Sequence, residues 1–362
     1  MTLSGPTLET IMLILSNREL TLPGDAFGTS FQPGADALSM ASAARSGGGW
    51  QLASAQASVK DDAVIHALLP LFQGPKPVLV WLHGNSNTPT DCFERCERLG
   101  QLYGLEVVGF SWPSEGLLPD GTELPRLPPA PMAAEDENAL AAVKTDNRSE
   151  GPAQRILRRY RQAKLNAQDS TDALARFLRL VAVARLYANQ QPFTLGVHSL
   201  GVHFLQNCLQ VAGATESVGT AHNIALLAPC ARAEGHLSWL RTLQPKGQVF
   251  VTYNKGDSVL FGAFVADGQQ LKLGTDPGSA RLAAPNVRYI SFSNAKVDAG
   301  GHGYFVMSGM PARTKKLFKR ILGSERDIQG TEFPRQVYPI GCDGDGVTCY
   351  MAKPEAEPAD GS

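Results

Sequence analysis

The chain reads as an α/β protein built on a mostly parallel sheet with helices on both faces. Two observations predict this. Short, almost wholly apolar β-prone runs recur from about residue 77 onward, and helical patterns lie between them. Strands buried on both faces are written as continuous hydrophobic runs, and their alternation with helices is the sign of a covered parallel sheet. Composition agrees: of 362 residues, 43% are apolar and 19% charged, enough apolar surface for a full core in one large domain.

The elements follow in order. Ile11–Leu15 is a short apolar run and is expected as one of several antiparallel edge strands before residue 77, with Ser46-Gly47-Gly48-Gly49 as a turn. Val78–Leu82 is a strand, Thr90–Tyr103 a helix and Glu106–Phe110 the next strand. Ala163–Tyr187 carries Ala167, Leu174, Leu178 and Val181 at helical spacings and is expected as one long helix. Phe193–His198, Asn223–Ala228, Val249–Tyr253 and Val287–Phe292 are four further buried strands. Residues 113–153 interrupt the rhythm with seven prolines and the acidic run Glu135-Asp136-Glu137, the composition of an inserted loop or lid. A single catalytic domain is therefore expected over residues 1–352, with residues 353–362 as a disordered tail.

Bulk properties exclude several function classes. A formal net charge of −1 provides no global field for nucleic acid or an anionic membrane. No stretch has the length and apolarity of a transmembrane helix. The N-terminal apolar run lacks a basic flank and a small-residue cleavage site, so a cytoplasmic location with reduced thiols is expected. Cys92, Cys96, Cys208 and Cys230 fall in apparent core elements, whereas Cys342 and Cys349 flank a Gly/Asp-rich turn and could pair in an oxidising compartment. No zinc spacing and no phosphate-binding loop occur, and Asp343-Gly344-Asp345-Gly346 reads as a hairpin turn. Arg155–Arg161 reads as a solvated helix face or a partner for the acidic insertion. Neither a metal nor an organic cofactor is expected.

The chemistry centres on Ser199. The run Phe193–His198 enters it, Leu200-Gly201 follows, and a helix-prone run leaves. That is the context of a nucleophile elbow, a sharp strand-to-helix turn that exposes a serine Oγ. A serine at an ordinary strand-to-helix N-cap has the same outline. Gly201 satisfies the elbow's demand for a small residue two positions after the serine. Val197 stands where glycine is wanted, and its branched side chain is expected to crowd the outgoing helix.

A serine nucleophile needs a base, an orienting acid and oxyanion donors. The acid is expected in the loop after Val249–Tyr253, where Asp257 lies, because functional groups of open α/β sheets gather at the carboxyl ends of strands. Asp298 is its rival. The base is expected after the last strand, which selects His302, ringed by Gly300, Gly301 and Gly303. His66 and His222 sit in or beside strand-like runs, His236 in a polar stretch, and His203 on the elbow helix; His198 should point away from the nucleophile. The backbone N–H groups of Leu200 and Asn85 are the expected oxyanion donors.

Three segments together resemble a bacterial family of esterase- or lipase-like proteins with the α/β-hydrolase fold. They are Val78–Thr88 with its His83-Gly84-Asn85, Val108–Gly116 with Phe110-Ser111-Trp112-Pro113-Ser114, and Leu195–Gly201 with His198-Ser199-Leu200-Gly201. The resemblance spans roughly residues 10 to 310. Family members usually carry methionine and asparagine where Leu200 and Val202 stand, and an aspartate four residues after the tyrosine equivalent to Tyr160, where this chain has Lys164. By resemblance the triad maps onto Ser199, Asp257 and His302. The expected activity is serine hydrolysis of a small-molecule carboxylic ester through an acyl-enzyme, with no nucleic-acid partner. A peptidase, amidase or acyltransferase on the same fold, or a non-catalytic binding protein retaining it, are the alternatives.

Overall fold

In a computed structural model the described residues are 12–21, 24–46, 48–125, 151–325, 337–339 and 348–351. The central feature is an 11-stranded sheet. Its strands are β1 (Met12–Ser16), β4 (Ser39–Ser46), β5 (Gly49–Gln56), β6 (Val78–Leu82), β7 (Glu106–Ser111), β8 (Phe193–His198), β9 (Asn223–Leu227), β10 (Val249–Tyr253), β11 (Val287–Ser291), β12 (Val337–Pro339) and β13 (Thr348–Met351). In space the order is β12-β13-β11-β10-β9-β8-β6-β7-β1-β4-β5. All pairings from β13 through to β1 are parallel; β4, β5 and β12 are antiparallel additions. A separate two-stranded ribbon joins β2 (Arg18–Leu20) to β3 (Phe27–Phe31).

The helices are α1 (Asp61–Gln73), α2 (Pro89–Tyr103), α3 (Pro152–Asp169), α4 (Thr171–Tyr187), α5 (Leu200–Cys208), α6 (Ala214–Gly219), α7 (His236–Leu240), α8 (Ser258–Ala266) and α9 (Ala312–Leu322). After β6 the chain steps to β7 on one side through α2, then returns past β6 to β8 through α3 and α4. Right-handed crossovers place helices of opposite steps on opposite faces. The packing agrees: α2 packs on α9, while α1, α3, α4, α5 and α6 pack on one another. The reversal leaves a topological switch point between β6 and β8, and in open α/β sheets functional groups gather there at the carboxyl ends of the strands.

The β6–β11 strands form where the apolar runs predict them, because a strand covered on both faces leaves no polar position. β6, β8, β9 and β10 are buried at every residue. Three expectations need correction. β1 is not an edge strand: it lies between β7, which it parallels, and β4, which it opposes. A run of five apolar residues records burial on two faces but not which strands flank it. The segment before residue 77 also contains α1, whose Val64, Leu68 and Phe72 form a buried stripe, so His66 is helical. The helix expected from Ala163 to Tyr187 is two helices broken at Ser170. The break is held from outside, since Asn17 donates to Ser170 Oγ at 2.8 Å and the Gly34 N–H donates to the Asp169 carbonyl at 2.7 Å.

Of the proline-rich insertion, residues 113–125 are described and pinned to the body. Asn166 Nδ2 donates to the carbonyls of Pro113 and Leu117, and the Phe31 N–H donates to the Pro119 carbonyl. Of the insertion expected as a lid over residues 113–153, residues 126–150 lie outside the described residues, as do the expected tail and Cys342, and Pro152 opens α3. Among the described residues no helix is long and apolar enough to cross a membrane.

Candidate active site

Ser199 occupies the turn between β8 and α5 with φ 52° and ψ −121°. That conformation strains a residue with a Cβ and persists only where the surroundings hold it. They do so here by three backbone bonds: Ser199 N–H to the Leu227 carbonyl at 2.9 Å, and the N–H groups of Val202 and Cys230 to the Ser199 carbonyl, each at 3.0 Å. The close approach that makes the turn possible comes from two glycines. A Cβ on Gly201 would stand 2.6 Å from the His83 carbonyl oxygen, and one on Gly84 would stand 2.8 Å from Ser199 Cβ. Val197 is buried near the carboxyl end of β8, in register with Leu82 and Leu226.

Asp257 and His302, 45 residues apart, meet. His302 Nδ1 donates to Asp257 Oδ2 at 2.6 Å, and the aspartate side chain is fully buried. The other oxygen of Asp257 accepts from the Leu260 N–H at 2.8 Å, so the same carboxylate N-caps α8. Asn254 ties the two loops together by donating to the Gly301 carbonyl and accepting from the Gly256 N–H. Gly301 has φ 65°, a left-handed conformation, and a side chain there would strike Asn254 Nδ2. Asp298, the rival acid, instead accepts from the Gly303 N–H at 2.8 Å and shapes the loop that carries His302.

His198 lies against His302, with ring centroids 4.6 Å apart, rather than in a separate environment. Phe305, 4.9 Å away, covers it from another side. Burial holds its pKa well below the usual imidazole range, so it is neutral.

Asn85 follows Gly84 and so sits beside the nucleophile. Its loop is clamped to the end of β7. The Ser86 N–H donates to the Ser114 carbonyl at 2.8 Å, the Asn87 N–H to Ser114 Oγ at 3.0 Å, and Asn87 Nδ2 to the Asn85 carbonyl at 2.7 Å. Neither the Asn85 nor the Leu200 N–H donates to any described residue, which leaves both for a ligand. Ser199 Oγ likewise hydrogen-bonds to no described residue.

His83 was legible only as part of a His-Gly dipeptide, yet it organises this side of the site. The Trp112 N–H donates to its Nε2 at 3.1 Å, so Nδ1 carries the proton and donates to the Gly84 carbonyl at 2.9 Å. Burial lowers its pKa to about 3. Arg18, also buried, pairs with Glu115 and donates to the Trp112 carbonyl at 2.7 Å. The Phe110–Ser114 string was a signal for this clamp, but which loop it grips was not.

Near the opposite wall, Tyr160 donates to Asp267 at 3.0 Å, and Lys164 and Lys272 both pair with that carboxylate. The carboxylate beside Tyr160 is therefore supplied by the C-cap of α8, with Lys164 as its counter-ion. Among the described residues no three His, Cys, Asp or Glu side chains converge as a metal ion would require.

The strained serine turn, the Asp257–His302 pair and the Asn85 loop thus lie at the same end of the sheet, with His198, the neighbour of Ser199, 4.6 Å from the His302 ring and Gly84 against Ser199. No family model, no curated protein and no solved structure matches this chain.

Proposed function

We propose that the protein is a serine hydrolase of the α/β-hydrolase fold that cleaves carboxylic esters through an acyl-enzyme. The observation that carries the proposal is the 2.6 Å pairing of His302 with the buried Asp257, beside His198 and hence next to a serine held at positive φ. A buried carboxylate on Nδ1 fixes the imidazole tautomer and stabilises the imidazolium that forms when Nε2 takes a proton.

His302 removes the Ser199 Oγ proton as the oxygen attacks the ester carbonyl carbon. The oxyanion that forms accepts from the N–H groups of Leu200 and Asn85. Collapse of the tetrahedral intermediate breaks the ester C–O bond, and His302 returns its proton to the departing alkoxide. Water repeats the sequence on the acyl-enzyme and releases the acid and the free serine. In sites without substrate the base–nucleophile bond is often loose and tightens on binding, consistent with an unbonded Ser199 Oγ.

A fluorophosphonate probe tests this reading. The expected result is one adduct, on Ser199, lost in Ser199→Ala. The same substitution lowers turnover of 4-nitrophenyl esters by at least about a thousandfold. Folded protein that leaves Ser199 unlabelled overturns the proposal.

A further inference from the structure

Arg95 stands apart from the other arginines held in the interior. Arg18 is paired with Glu115 and three carbonyls, and Arg185 donates to the carbonyls of Gln190 and Gln191. Arg95 lies on the inward stripe of α2, between the buried Cys92, Cys96 and Leu99. It is only partly exposed, yet it makes no hydrogen bond and no ion pair with a described residue. Its guanidinium carbon lies 5.8 Å from the centroid of the Phe305 ring.

That position is at the candidate site. α2 begins directly after the Asn85 loop, and Phe305 packs 4.9 Å from the His198 ring, itself 4.6 Å from His302. The nearest carboxylates are already engaged. Asp91 closes the capping box of α2 with Thr88, and Asp298 holds the Gly303 N–H. Both act on Arg95 through space, without pairing with it.

A guanidinium partly withdrawn from water and without a partner among the described residues is less well solvated than a free one, and its planar fork matches a carboxylate or phosphate. We propose that Arg95 is an anion-binding residue of this site, and that the ester it serves carries a free acidic group, carboxylate or phosphate. The proposal rests on the ester-hydrolase reading for the words "ester it serves", and on the geometry of Arg95 alone for the anion. Burial, the largest influence on Arg95, disfavours its charge, and a bound anion would offset that. A guanidinium serving only to cover Phe305 would show no preference among ligands.

The test compares wild type, Arg95→Gln and Arg95→Lys on three substrates: 4-nitrophenyl hydrogen glutarate, 4-nitrophenyl 3-phosphonopropanoate and neutral 4-nitrophenyl butanoate. The readout is the ratio of kcat/KM for each anionic ester to that for butanoate. At least one ratio is expected to fall tenfold or more in Arg95→Gln, chiefly through KM, and to recover in part in Arg95→Lys. The arm that responds distinguishes carboxylate from phosphate. Ratios that stay within threefold of wild type overturn the proposal while leaving the hydrolase reading intact.

A second arm needs no turnover. Ethyl hydrogen glutarate is titrated calorimetrically into Ser199→Ala, with and without Arg95→Gln. Binding that weakens tenfold on loss of Arg95 supports the anion site even where no ester is cleaved. Binding indifferent to Arg95 overturns it. Should Arg95→Gln fail to fold, competition of glutarate against butanoate hydrolysis in the wild-type protein decides, and no competition overturns the proposal.

Discussion

Asp257 does two things with one carboxylate, and they can be separated by mutation. Asparagine caps a helix as well as aspartate does, but it cannot stabilise an imidazolium. Asp257→Asn is therefore expected to keep its Leu260 bond and nearly all its stability while kcat/KM falls by roughly ten-thousandfold. Asp257→Ala loses the cap as well and is less stable by about 1 kcal/mol or more. Urea midpoints set beside ester kinetics check both; equal stability of the two variants would remove the capping role. Arg95 belongs at this scale too. That it pairs with no described residue is the kind of fact no sequence displays, because a partner is defined by proximity in space.

At the scale of elements, the elbow depends on two backbones passing closer than side chains allow. The usual motif places glycine where Val197 stands. At the elbow turn the close glycine approaches are Gly84 to Ser199 and Gly201 to the His83 carbonyl. Gly201→Ala sets a Cβ against backbone that cannot swing aside, and is expected to cost about 1–3 kcal/mol. It should also displace the Leu200 N–H, so that fluorophosphonate labelling slows in whatever protein remains folded. Unchanged stability and labelling would mean that the elbow has more room than its 2.6 Å separation implies. The helix pair α3–α4 makes a related point. Its break at Ser170 has no proline or glycine to announce it, and comes from Asn17 and Gly34 on a distant part of the chain.

Across the whole molecule, buried neutral imidazoles set the acid limit of stability. The pKa of His83 is lowered to about 3 and that of His203 to about 4, both by burial, and that of His198 is also lowered, so all three fold uncharged. In the unfolded chain each takes up a proton near 6.5, so below that pH the unfolded state binds more protons than the folded one. Their stabilising effect is complete above 6.5 and is lost as pH falls toward the folded values. Each fully shifted histidine contributes a slope of up to about 1.4 kcal/mol per pH unit in that window. Urea midpoints measured from about pH 7 to about pH 4 should fall steadily, and a flat profile across that window would contradict neutral burial. Proton uptake by His83, whose folded value is below that of His203, would remove the acceptor for the Trp112 N–H, so the Asn85 loop should hold until the acid end of this series.

The amino-acid sequence by itself determined the layered α/β architecture, the strands from β6 to β11, and the order serine, acid, histidine. Those properties follow from local pattern: a doubly covered strand has no polar position, and loops after parallel strands gather at one end of the sheet. Tertiary structure alone decided that β1 lies inside the sheet, that Asp257 rather than Asp298 meets His302, that His83 clamps the Asn85 loop, and that Arg95 pairs with no described residue. Each of these is a relation between residues far apart in the chain, and local pattern holds no record of which distant atoms will arrive within hydrogen-bonding distance.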